Sequence, residues 1–199
     1  RPDLNVVEIR GNVPTRLGRV RGSGARTADL DAVVLARAGL ARLGLTDKVT
    51  DVLDLLPAAA QGALAVECRT GDVATREALA PLDDATTRAC VTAERAVLAA
   101  LQAGCAAPVG ALATASGDTL TLVAAAFSND GTRQVRAEQS GPFSGATQLG
   151  TSVAALLVAD GAFAVSPITA SRESRLADIH DDASAFHDER TLWAAGTRP

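Results

Sequence analysis

Residues Asp84–Ala126, DATTRACVTAERAVLAALQAGCAAPVGALATASGDTLTLVAAA, decide the fold of this chain. In the first half Ala89, Ala93, Val97, Leu98 and Leu101 fall at helical spacing behind Asp84, a good N-capping residue, and Gly104 ends the pattern. The second half holds two apolar strands, Val109–Thr114 and Thr119–Ala126, on either side of the turn signal Ser116-Gly117-Asp118. Arg133–Ser140 repeats the strand pattern after Asn129-Asp130-Gly131, and a helix is predicted over Gly145–Ala159. Two helices and three antiparallel strands make a small α+β domain.

Between that first helix and its strand lies Gly104-Cys105-Ala106-Ala107-Pro108-Val109-Gly110, a turn bounded by Gly and Pro where a thiol can be reached. Cys68 and Cys90 sit in apolar-periodic segments and read as small core hydrophobes. A single loop cysteine is by itself only a candidate nucleophile, so its surroundings must decide.

Upstream, Leu4–Arg10 reads as a strand, with Val6, Val7 and Ile9 as its β-branched positions, ending at Gly11-Asn12. Asn12 can cap a helix that holds Pro14 in its first turn and continues to the Gly22-Ser23-Gly24 break. A strand leading directly into a helix N-terminus makes an anion-attracting point, and Arg10 and Arg16 flank it. Ala32–Ala36 suits a buried parallel strand, Arg37–Leu43 a short helix closed by Gly44, and Asp51–Pro57 and Ala63–Cys68 two more extended segments. This βαβα order predicts part of an open α/β sheet, in which ligands bind beyond the carboxyl ends of the strands.

A chain of 199 residues, 47% hydrophobic, can bury one or two cores. Three cysteines without paired spacing point to a reducing compartment, with cytoplasm as the expectation, and no segment reads as a membrane span or a signal peptide. The opening Arg1-Pro2 and the absence of methionine read as a fragment. Of 19 basic residues 18 are arginine, and seven of these, from Arg10 to Arg42, precede Lys48, a composition suited to forked recognition of carboxylate or phosphate. A net charge of −4 and 3% aromatic residues oppose a nucleic-acid binder. His180 and His187 lie in a polar, acidic stretch with no paired ligand nearby, so no metal site is expected.

Three strings taken in order, Arg10-Gly11-Asn12-Val13-Pro14-Thr15-Arg16-Leu17, Gln61-Gly62-Ala63-Leu64-Ala65-Val66-Glu67-Cys68-Arg69 and the Cys105 turn, resemble the hydroxymethylbilane synthase (porphobilinogen deaminase) family. Ala38-Gly39-Leu40-Ala41-Arg42-Leu43-Gly44-Leu45 and Thr92-Ala93-Glu94-Arg95 fit the same family, and the conjunction extends over about residues 1–160. The resemblance implies a transferase of heme and tetrapyrrole biosynthesis that condenses four porphobilinogen molecules head to tail, releasing ammonia, on a dipyrromethane cofactor. The cysteine matching Cys105 carries that cofactor through a thioether. Arg10, Arg16 and Arg42 match family carboxylate binders, Gln61 and Gly62 match cleft lining, and Arg19, Arg21 and Arg26 remain surface charges.

The implied fold is α/β, part of a two-lobed periplasmic-binding-protein-like fold, plus a small carboxy-terminal α+β domain with an antiparallel sheet. On this reading residues 1–57 are the later half of domain two, 58–80 a return to domain one, 83–163 the cofactor-carrying domain three and 164–199 a polar tail. The tail is a disordered extension, a linker or a reading-frame artefact. The family's catalytic aspartate would lie in a missing amino-terminal portion, so no catalytic residue is assigned and the fragment alone is expected to be inactive. Porphobilinogen and the growing pyrrole chain are the implied partners, without nucleic acid or membrane, and the complete enzyme is expected to be a monomer. Arg37 departs from the family's small or apolar residue at its position. The rival reading is a non-catalytic two-lobed ligand-binding module for small anions, which the fold alone would permit.

Overall fold

The computed structural model describes residues 3–24, 28–104, 107–162 and 190–196. The chain divides into two compact units, Arg1–Asp54 and Leu55–Pro199.

In the first unit α1 spans Val13–Leu17 and α2 Arg37–Arg42. Asn12 caps α1 as expected: its backbone is extended and its side-chain oxygen accepts the Thr15 N–H at 2.9 Å. A Cβ added at Gly39 would stand 3.4 Å from Val13 Cγ2, so α2 packs closely against the start of α1. Gly44, at φ 68°, lets the chain leave α2 in the left-handed conformation, with the Leu45 N–H returned to the Leu40 carbonyl at 2.9 Å.

Three sequence expectations are corrected here. Leu4–Arg10, Ala32–Ala36 and Asp51–Pro57 form no strands, and no parallel sheet occurs among the described residues; a single parallel bridge joins Val20 to Leu30. Strand formation needs a partner edge and a covered face. Val6 is 87% and Val34 70% exposed, and Leu40 is the one buried hydrophobe among the described residues of this unit. The helix at Asn12 stops at Leu17 and does not reach Gly22, because the backbone turns at Gly18 to bring Val20 beside Leu30.

The second unit begins with β1, Ala63–Arg69, followed by α3, Val73–Leu79, and α4, Ala85–Ala100. Then come β2, Val109–Ser116, β3, Thr119–Phe127, β4, Gln134–Pro142, and α5, Ala146–Ala159. The strands form an antiparallel meander in the order β2-β3-β4, packed on α4 and α5. Ala111, Ala124 and Ala137 face one another across the three strands, a row of small side chains that lets the helices approach. Leu120, Leu122, Val97, Leu101, Val153 and Leu157 fill the core around it, all fully buried. Asp84 caps α4 by accepting the Thr87 N–H at 2.7 Å, and hydrogen bonds from Thr87 hold its carboxyl below the usual carboxylate range.

One further strand was not foreseen. β5, Arg190–Gly196, pairs antiparallel with β1, from Ala63 opposite Gly196 to Arg69 opposite Arg190, within the stretch read from sequence as an unpatterned tail. Cys90 is core, as expected, at 3% exposure. Cys68 is only half-buried, because β1 stands outside the three-stranded sheet in a two-stranded one.

The β3–β4 turn carries a pH-sensitive group. Asp130 accepts hydrogen bonds from the Ser128 hydroxyl at 2.5 Å and from the Thr132 amide and hydroxyl at 3.1 and 2.9 Å. These lower its carboxyl from 3.8 to about 2. The folded form therefore binds its proton more weakly than the unfolded chain, so this contribution is complete above 3.8 and is lost as pH falls toward 2. An NMR titration of the Thr132 amide should show a midpoint near 2, absent in Asp130→Asn; a midpoint near 4 would contradict the turn geometry.

Candidate functional site

The arginines of the first unit separate into two groups. Arg19 makes a forked pair with Asp29, at 2.9 Å from Nε and 2.5 Å from Nη2, and Arg21 meets Asp31 at 3.0 Å. The hydrogen bond between Arg19 and Asp29 pushes the guanidinium up and the carboxyl down from their ordinary values. Among the described residues no ion pair involves Arg10, Arg16 or Arg42. Arg16 is half-buried and its Nε donates to the Gly11 carbonyl at 2.7 Å, which turns its guanidinium back toward the end of α1 where Arg10 precedes Gly11. Gly11 is at φ 113°, and a Cβ there would come within 3.0 Å of Thr15 Cγ2. Arg42 closes α2, three residues beyond the Gly39 contact with α1. Arg37 begins the same helix, exposed and unpaired among the described residues; nothing in the structure explains its departure from the family pattern.

The helix itself contributes less to anion attraction than the sequence suggested. α1 has five residues, and Asn12 already takes the Thr15 N–H. The dipole of a single turn is small, so attraction for an anion rests on the guanidinium groups.

In the second unit, Gln61 and Gly62 are exposed and form the turn that enters β1. Ala60 and Gly62 are both left-handed, at φ 63° and 87°, which places Gln61 between two reversals of the backbone. The Ala60 N–H donates to Glu94 of α4, a carboxylate 1% exposed, at 2.6 Å. Glu94 went unassigned in the sequence, although position 94 falls on the same face as Cys90, Val97 and Leu101, where a carboxylate needs buried partners. An open cavity of about 630 Å³, also unforeseen, lies beside α4, lined by Leu64, Thr92, Arg95, Ala96 and Ala99, and by Arg88, which is hydrogen-bonded to Asp83.

Cys105 lies outside the described residues, as do Arg26, His180 and His187. On either side of it the described chain is fixed: the Ala107 N–H donates to the Gly104 carbonyl at 3.0 Å, and Ala103 and Ala107 pack on the core. Among the described residues no cluster of His, Cys, Asp and Glu could hold a metal ion, and no helix is long and apolar enough to cross a membrane.

By fold the chain is an α/β protein with an antiparallel α+β unit, and in its first unit Arg10, Arg16, Arg37 and Arg42 have no acid partner among the described residues, whereas Arg19 and Arg21 do. Residues 1–77 match the family model described as porphobilinogen deaminase, dipyromethane cofactor binding domain, and residues 88–159 match porphobilinogen deaminase, C-terminal domain. Porphobilinogen deaminase of Cutibacterium acnes is 50% identical over 200 residues, covering 88% of this chain and 60% of the relative. The Trichlorobacter lovleyi protein of that name is 51% identical over 83% of this chain and 52% of its own length, and the Corynebacterium diphtheriae protein 48% over 81% and 54%. The chain belongs to the porphobilinogen deaminase family. It spans between about half and three fifths of the length of these relatives.

Proposed function

We propose that the chain supplies the ligand-holding residues of a hydroxymethylbilane synthase, a transferase that joins four porphobilinogen molecules head to tail with release of ammonia. The observation that carries this reading is the ordered match of both family models, within which Arg10, Arg16 and Arg42, like Arg37, have no acid partners among the described residues while Arg19 and Arg21 are paired with Asp29 and Asp31. A growing pyrrole chain accumulates acetate and propionate groups, and unpaired guanidinium groups suit such a ligand. The same observation fits the dipyrromethane cofactor, whose carboxylates need cationic partners. When bound, the cofactor supplies an anchored primer. In this reading the chain's residues divide the work: Cys105 provides the sulfur of the thioether, Arg10, Arg16 and Arg42 hold carboxylates, and Gln61 and Gly62 line the ligand's path.

The finer architecture belongs to the same proposal. The first unit represents part of a two-lobed periplasmic-binding-protein-like fold, residues 1–57 falling in domain two, 58–80 in the return to domain one and 83–163 in domain three. Its place of work is the cytoplasm, and its partners are porphobilinogen and the pyrrole chain. None of the carboxylates seen is given the role of catalytic acid, so the 199-residue chain should bind ligand without sustained ammonia release from porphobilinogen.

Arginine replacement tests the assignment in the chain as it stands. A charge-assisted hydrogen bond contributes about 1.5–3 kcal/mol, so Arg16→Ala should weaken porphobilinogen binding by roughly 10- to 100-fold in calorimetry. Arg10→Ala and Arg42→Ala should do the same, whereas Arg19→Ala and Arg21→Ala should stay within about twofold, because those charges are already engaged by Asp29 and Asp31. Equal effects from all five would show nonspecific charge attraction and sink the assignment. Reversible binding with no covalent adduct on the protein would favour the anion-binding module instead.

A further inference from the structure

We propose that Glu94 is a positioning residue whose buried carboxylate sets the place of Gln61 and Gly62 by holding the Ala60 turn against the free edge of β2. The proposal rests on the assignment of Gln61 and Gly62 to the ligand site, and the test below separates the two.

Among the described residues β2 is an edge strand, with β3 on one side only. Its outward N–H groups need acceptors that a neighbouring strand would otherwise supply. Ala111 finds the Pro57 carbonyl at 2.9 Å, and Ala113 finds Glu94 Oε1 at 2.8 Å. The segment approaches closely there: a Cβ on Gly110 would stand 3.0 Å from the Leu56 carbonyl oxygen. Glu94 Oε2 takes the Ala60 N–H at 2.6 Å. One side chain of α4 thus joins β2 to the turn that leads into β1.

Two further features show that this is more than core filling. Ala60 is left-handed, a conformation that residues other than glycine, Asn and Asp rarely adopt, so the turn needs something to hold it. The Glu94 hydrogen bond acts on that residue's own amide. Moreover, the two donors approach from different segments, and only a carboxylate presents an acceptor on both oxygens. Glutamine in its place would aim an N–H₂ group at one of them. Gln61 and Gly62, immediately after the held residue, inherit their position from it.

NMR of the 199-residue chain provides the test. In the unmutated protein, scalar couplings across the hydrogen bonds should link the amide nitrogens of Ala60 and Ala113 to the side-chain carboxyl carbon of Glu94; their absence overturns the proposal without any variant. Glu94→Gln should speed hydrogen exchange at Ala60 and Ala113 by at least about tenfold and shift the Gln61 and Gly62 resonances, with Leu122 and Ala137 in β3 and β4 changed by less than about twofold. Adding Ala60→Gly should restore the Gln61 and Gly62 resonances, since glycine takes the left-handed turn unaided. Uniformly faster exchange through β3 and β4, without rescue by Ala60→Gly, would show a general packing role and overturn the proposal. Porphobilinogen titrated into the unmutated chain should shift Gln61 and Gly62. If they stay still while the couplings and the rescue hold, the ligand-site assignment fails and the hold of Glu94 on the turn stands.

Discussion

Gly150→Ala is expected to destabilise the second unit by about 3 kcal/mol or more, at the upper end of what overpacking a core usually costs. A Cβ at this position would lie 2.3 Å from the Ala93 carbonyl oxygen and 2.5 Å from Ala96 Cβ. Neither neighbour can yield cheaply: one is the backbone of α4 and the other a side chain with no rotamer to change. The two helices would have to separate, and α5 would withdraw Leu149, Val153 and Leu157 from the core they share with Val97 and Leu101. Urea unfolding monitored by far-UV circular dichroism reads this directly, with a midpoint expected to fall by more than about 1 M for a slope of 1–3 kcal/mol/M. Gly141→Ala is the control, since its nearest neighbour is a flexible Leu149 carbon at 3.6 Å, an ordinary contact. Equal midpoints for the two variants would mean that α4 and α5 do not pack at Gly150.

The same close approach illustrates what a sequence shows of its fold. α4, the meander and α5 were legible because their signals are local: Asp84 bonds Thr87 three residues on, and Gly117 and Gly131 take the left-handed turns that their neighbours predicted. The first unit misled because a run such as Val6-Val7-Glu8-Ile9 reports only a willingness to pair, and pairing is a property of two segments. β5 was missed for the same reason, its partner β1 lying more than a hundred residues earlier. Among the candidate ligands in the site, the arginines are alike in sequence. What separates Arg19 and Arg21 from Arg10, Arg16 and Arg42 is a pair of aspartates, each ten residues further on, brought alongside by the Val20–Leu30 bridge. No helical or strand spacing announces that offset. Glu94 did carry a signal, a carboxylate on an apolar stripe, but the Ala60 and Ala113 groups it accepts from are backbone amides, which no sequence marks.

Cys105→Ser should abolish covalent pyrrole attachment completely, the largest functional effect expected of any single change in this chain. The other two thiols are poorly placed for it. Cys90 is 3% exposed among Ala93, Val97 and the core strands, so a dipyrrole on its sulfur would require that core to open. Cys68 is half-buried on β1, with strand pairing to β5 along that segment. Cys105 is the thiol that the family resemblance assigns to the cofactor, and the described chain beside it is anchored by the Gly104–Ala107 hydrogen bond and by Ala103 and Ala107 against the core. Serine preserves size while removing the nucleophile, because a hydroxyl stays protonated at neutral pH where a thiol is partly ionised. Intact-mass spectrometry of protein exposed to porphobilinogen, followed by peptide mapping, should place any pyrrole adduct on Cys105 and find none in Cys105→Ser. Cys90→Ala should keep the adduct at a cost of roughly 1–2 kcal/mol in stability, and Cys68→Ala should keep it at less, since it gives up less buried surface. An adduct that survives in Cys105→Ser, or that disappears in Cys68→Ala while the protein remains folded, would move the anchor to a different sulfur and remove the basis for assigning the Cys105 turn to the cofactor.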